Sequence, residues 1–140
     1  MKQYSDDAGT INDLVRYRLQ RSRDCIKEAQ ILFEAKEYYG ANNRAYYAVF
    51  HAVSAIHALD GNVYKKHKDA IGNFNKNYVK SGIFPREIGR RISEAEQIRT
   101  ASDYDDFYIA GREESKDQID LACTLADMIE RYCNEKTEKE

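Results

Sequence analysis

Tryptophan is absent from this chain, and proline occurs once in 140 residues. So few chain breakers, and so few β-branched runs, argue against a sheet and for helices. An excess of basic charge is missing too. Its 22 lysines and arginines stand against 24 aspartates and glutamates, a formal net charge of −2. Proteins that grip nucleic acid by its backbone gain most of their non-specific affinity by neutralising phosphates. The chain as a whole therefore carries no such signal, and any nucleic-acid contact must come from a local patch, a partner subunit or a small pocket. Cysteine is scarce: Cys25, Cys123 and Cys133 form an odd set without metal-ligand spacing. They read as reduced, small packing residues of a cytoplasmic protein, with no metal and no cofactor implied. No apolar run approaches the ~18–20 residues of a membrane span. The opening MKQYSDDAGT has no apolar core of a signal peptide.

What is present is helical patterning. Hydrophobic residues make up 42% and charged residues 33% of the chain, with 11 tyrosines, the profile of a bundle with one apolar stripe per helix. The expectation is one all-α domain over residues 1–140, an up-and-down bundle of about five helices with a charged, frayed tail at about 135–140. The length suffices to bury roughly two-thirds of the unfolded surface. Val15, Leu19, Ser22, Ile26, Ala29 and Phe33 recur at spacings of three and four, so a first helix is expected to start at Thr10 or Asn12 and to break at Tyr38-Tyr39-Gly40. A second should run from about Asn43 to Leu59 and stop at Asp60-Gly61. A third, His67 to Lys80, places His67, Ile71, Phe74 and Tyr78 on one side and ends at Ser81-Gly82. Pro85 suits the first turn of a fourth helix with Ile88, Ile92 and Ala95 inward. Between Ala101 and Gly111 two readings stay open: a capping box from Ser102 and Asp105, or a true start after Gly111. Ile119, Ala122, Ala126, Ile129 and Cys133 mark the core stripe of the last helix.

The second helix carries the chemistry. At 100° per residue, Tyr46, Val49, Phe50, Val53 and Ile56 share one face, and Arg44, Tyr47, Ala48, His51, Ala55 and Ala58 share the other. The second face is mostly alanine, so it is either packed inside the bundle or used between subunits. Arg44, Tyr47 and His51 stand at i, i+3 and i+7 and line up along the helix. A guanidinium beside an imidazole and a phenol can bind a phosphate and move a proton, the minimum chemistry for cleaving RNA. The same three residues can also be an ion pair, a packed ring and a satisfied histidine. Lys65-Lys66-His67-Lys68 reads as a solvated basic helix start and His57 as a packed histidine. No spacing of His, Asp and Glu suggests a metal site.

The segment Asn43-Arg44-Ala45-Tyr46-Tyr47-Ala48-Val49-Phe50-His51-Ala52 closely resembles the second-helix signature, RAYYAxFH, of a prokaryotic branch of the HEPN family (higher eukaryotes and prokaryotes nucleotide-binding). Ile98-Arg99-Thr100-Ala101-Ser102-Asp103-Tyr104 resembles that branch's later signature, an arginine followed by Asp-Tyr, and the likeness extends from about Asp13 to Tyr132. The resemblance implies a helical bundle, usually a homodimer, with a polar groove at or near the dimer interface. It also implies RNA or a nucleotide as ligand. Many members are metal-independent endoribonucleases with an Arg…His motif late in the chain. Many act as the toxin of a toxin–antitoxin pair beside a minimal nucleotidyltransferase.

At that late position Arg99 is followed by Asp103-Tyr104 where a histidine is expected. The alternative pair is Arg44 and His51, with six residues between them, in the second helix. The expected catalytic residues are therefore Arg44, holding phosphate, and His51, moving the proton. Tyr47, Arg99, Asp103 and Tyr104 are the expected binding residues. A non-catalytic nucleotide- or protein-binding module is the competing reading, and plain helical scaffolding a third. Asp103 could equally cap the last helix, with Arg99 paired to it and Tyr104 sealing the bundle.

Overall fold

The computed structural model describes residues 8–138, with helices α1 (Ala8–Glu34), α2 (Tyr38–Leu59), α3 (His67–Phe74), α4 (Arg86–Tyr104) and α5 (Arg112–Glu138). No strand occurs among the described residues. α3 continues without interruption into a π-helical segment, Asn75–Val79. α2 is the central rod, packed mainly on α1 and α5, with α3 and α4 against its remaining side. Residues 1–7 and the last two of the charged tail lie outside the described part, and from Glu135 to Glu138 the tail is helical. Because α1 already begins at Ala8, Thr10 and Asn12 are interior helical positions, not caps.

The first break falls earlier than the Tyr38-Tyr39-Gly40 expected for it. α1 ends at Glu34, and Lys36 takes a left-handed conformation (φ 64°). The Glu37 amide donates to the Leu32 carbonyl at 2.8 Å and the Lys36 amide to Phe33 at 2.9 Å. That is the paired arrangement of a Schellman stop, with lysine where glycine is usual. The same device ends α2 as expected. Asn62 donates to His57, Gly61 donates to Ala58, and Gly61 has φ 82°. At the other open point, α4 runs through Ser102 to Tyr104, so no capping box forms there, and α5 starts directly after Gly111.

The alanine-rich face of α2 lies inside the bundle. Ala41, Ala48, Ala52 and Ala55 are 0% exposed, and α1 approaches closely enough for Ser22 Oγ to donate to the Ala48 carbonyl at 2.7 Å. Side chains no larger than a methyl make that approach possible, and a larger one would have to displace α1. The predicted inward positions of α1, α4 and α5 are buried, Phe33 excepted as half-buried. Leu121 and Leu125 widen the α5 stripe. Packing against α1 and α5 thus fixes the rotation of α2 about its axis, and with it the direction of Arg44, Tyr47 and His51.

Candidate functional site

Arg44 leaves the first third of α2 half-buried. Its guanidinium lies 2.9 Å from Asn43 Oδ1, 3.5 Å from Glu28 Oε1 on α1, and 5.0 Å from the centre of the Tyr47 ring. Arg99 reaches the same tyrosine from α4. Its guanidinium is 4.9 Å from the Tyr46 ring and 5.7 Å from the Tyr47 ring. Two cations from different helices therefore face one tyrosine pair, a geometry in which the π faces offset their mutual repulsion. Asp103, one turn after Arg99, pairs with it at 3.6 Å. Asp103 thus sits in the last turn of α4 and does not cap α5. Tyr104 follows it and is 83% exposed, so it does not seal the bundle.

His51 is half-buried two turns along α2 from Arg44. Burial, followed by the charges of Arg21, Arg18 and Arg44, pushes its pKa down to about 4. A ring with that pKa is neutral near pH 7 and can accept a proton, but it is no cation. Arg18 is itself anchored, donating to the Ser54 carbonyl at 3.1 Å. No hydrogen bond joins Arg44 to His51.

The residue that sequence reasoning missed is His67. Lys65, Lys66 and Lys68 around it are exposed, as a solvated helix start should be. The imidazole instead turns inward. It stacks on Phe50 at 3.9 Å and on Tyr46 at 5.6 Å, and meets the edge of Tyr47 at 5.5 Å. Arg99 Nη1 lies 3.2 Å from its Nδ1. The signal available was its register, which puts His67 on the side of α3 that carries Ile71, Phe74 and Tyr78. His57, by contrast, is the packed histidine expected, 1% exposed with Nε2 donating to the Ala70 carbonyl at 2.8 Å.

Arg44, Tyr47, Arg99 and Asp103 are thus brought into one cluster, joined by Tyr46 and His67. His51 stands beside it through Phe50, whose ring is 5.8 Å from His51. An open concavity between α3 and α4 is lined by Tyr46, His67, Lys68, Arg99 and Tyr104, with Glu96 also at its wall. Among the described residues no group of three or more His, Cys, Asp and Glu side chains is placed to hold a metal ion. Guanidinium, phenol and imidazole groups can hold a phosphate, stack a base and accept a proton without one.

Comparison with known families identifies the class to which this helical bundle belongs. The model of the HEPN domain matches residues 15–132, so the chain belongs to the HEPN family. It is 31% identical over 118 residues to a UPF0332 protein of Thermotoga maritima, covering 84% of this chain and 89% of that protein. A Methanocaldococcus jannaschii protein named as a candidate toxin, MJ0605, is 32% identical over 94 residues, covering 67% and 70% of the two chains. In fold, the chain superposes on the crystal structure of TT1696 from Thermus thermophilus with a TM-score of 0.70. That match covers 84% of this chain and 96% of the other at 21% identity. No helix among the described residues is long and apolar enough to cross a membrane.

Proposed function

We propose that this chain is a toxin-like HEPN protein of the cytoplasm that binds RNA at the cluster between α2 and α4 and cleaves it without a metal ion. The observation that carries this reading is the convergence of Arg44 and Arg99 on Tyr47, with Arg99 also over the adjoining Tyr46 ring. The toxin designation of MJ0605 points the same way. In this reading Arg44 holds the scissile phosphate and His51, neutral at pH 7, takes the proton of the attacking 2′-hydroxyl. The 2′-oxygen bonds to phosphorus, the 5′-oxygen leaves with a proton from solvent, and a 2′,3′-cyclic phosphate remains. Tyr47 and Arg99 position the strand, Asp103 orients Arg99, and Tyr104 offers an exposed ring for a base to stack on. The protein works as a homodimer and is held in check by a nucleotidyltransferase partner.

The deciding experiment is cleavage of RNA by the purified, chelator-treated protein beside Arg44→Ala and His51→Ala, with folding followed by circular dichroism. Each substitution should lower the rate about 100-fold or more while helicity is unchanged. Cleavage that survives both changes sinks the assignment of the site. One observation favours a second reading, a non-catalytic module for a nucleotide or a protein surface: Arg44 is already engaged by Asn43 and Glu28. Nucleotide binding without cleavage under the same conditions would select it.

A further inference from the structure

Arg99 and His67 come from different helices, and their contact has a defined polarity. A guanidinium has only donors to offer, so at 3.2 Å from Arg99 Nη1 the Nδ1 atom of His67 is the acceptor. The single ring proton of the neutral imidazole is thereby placed on Nε2. Burial and the charge of Arg99 both keep this ring neutral, holding its pKa below the ordinary histidine value. The stack on Phe50 and Tyr46 fixes the ring plane. Nε2 has no hydrogen-bond partner among the described residues and is not among the buried unpartnered atoms, so it opens to solvent. His67 lines the concavity that also receives Arg99 and Lys68. Glu96 stands at the same wall, and burial raises its pKa.

We infer that His67 and Arg99 together form a phosphate-anchoring site for a single-stranded RNA backbone, His67 giving Nε2–H and Arg99 its guanidinium to one phosphodiester group. The inference rests on the RNA reading above and deepens it. It divides the labour between two histidines: His51 moves a proton, whereas His67 holds the strand and transfers nothing. A phosphodiester oxygen is an acceptor at every lone pair, and Nε2–H of His67 and the Arg99 guanidinium are donors for it, whereas Glu96 at the same wall is an acidic group the strand must pass. Tyr46, whose ring carries Arg99, lines the same concavity.

The test uses a short fluorescent oligouridylate, methylated at its 2′-oxygens so that it binds without being cut, with anisotropy as the readout. His67→Phe keeps a ring on Phe50 and removes the donor, His67→Gln keeps an N–H donor in nearly the same place, and Arg99→Ala removes the guanidinium. His67→Phe and Arg99→Ala should each weaken binding about tenfold, and His67→Gln should stay within about threefold of the parent. Binding by His67→Phe as tight as the parent's, or a loss in His67→Gln as deep as in His67→Phe, overturns the inference. If Arg44→Ala weakens binding while the His67 variants do not, the inference fails and the RNA reading stands. If the parent chain does not bind the oligouridylate, both fall.

Discussion

At His51, burial and three arginines act in one direction, and both activity and stability should register it. A base with a pKa of about 4 is available across the neutral range, so RNA cleavage should stay level from about pH 7 down to about pH 5 and fall as the pH approaches 4. A rate that already halves near pH 6.5 would contradict this role. For stability the sign is set by the unfolded chain, whose histidine pKa is near 6.5. His51, His57 and His67 are all depressed in the folded protein, in each case first by burial. Between those values the unfolded state binds more protons, so stability is complete above about pH 6.5 and is lost as the pH falls toward 4. Urea unfolding midpoints should therefore drop between about pH 7 and about pH 5, and His51→Gln should make that drop shallower. Equal midpoints in the parent chain would count against the depressed histidines.

Two features of single elements make equally specific predictions. Lys36 carries a left-handed conformation that a side chain disfavours and glycine adopts freely. Lys36→Gly should stabilise the protein by about 0.5–1 kcal/mol, read as a higher thermal midpoint, since the strain relieved exceeds the added freedom of the unfolded chain. A lower midpoint would mean that the Lys36 side chain contributes more than its backbone costs. On α2, Ala48 is fully buried against α1, and its carbonyl receives Ser22. Ala48→Leu should destabilise by about 1–3 kcal/mol as α1 is pushed away. It should also disturb Arg44 and His51, which stand one turn to either side of it. A neutral Ala48→Leu would place this face outside the tight α1–α2 contact.

On the scale of the whole molecule, a net charge of −2 and a confined set of arginines imply an unusual salt dependence. Each phosphate neutralised by a single-stranded ligand contributes a slope of about −0.7 in log K against log salt. With Arg44 and Arg99 as the principal contacts, the measured slope should be about −1 to −2. A much steeper slope would mean that the strand follows a larger basic surface, one that a second copy of the chain could complete.

The helices themselves were legible because their information is local. Core residues recur at three and four, Asp60-Gly61 and Ser81-Gly82 stop the chain, and Gly111 precedes the last helix. The first break was misplaced because a lysine occupies the left-handed position, so no composition signal marks it. The alanine face of α2 was legible as a close contact but not as to its partner, since small side chains admit a neighbouring helix of either the same or another molecule. The sequence alone determined an all-helical bundle, its inward stripes and the line of Arg44, Tyr47 and His51 along α2. Only the tertiary structure decided that α1 covers the alanines and that Arg99 meets Tyr46, Tyr47 and His67. Those contacts of Arg99 join residues 32 or more positions apart, and which of them touch depends on how each helix is rotated against its neighbours. Periodicity fixes the face a helix presents, but packing fixes what that face meets.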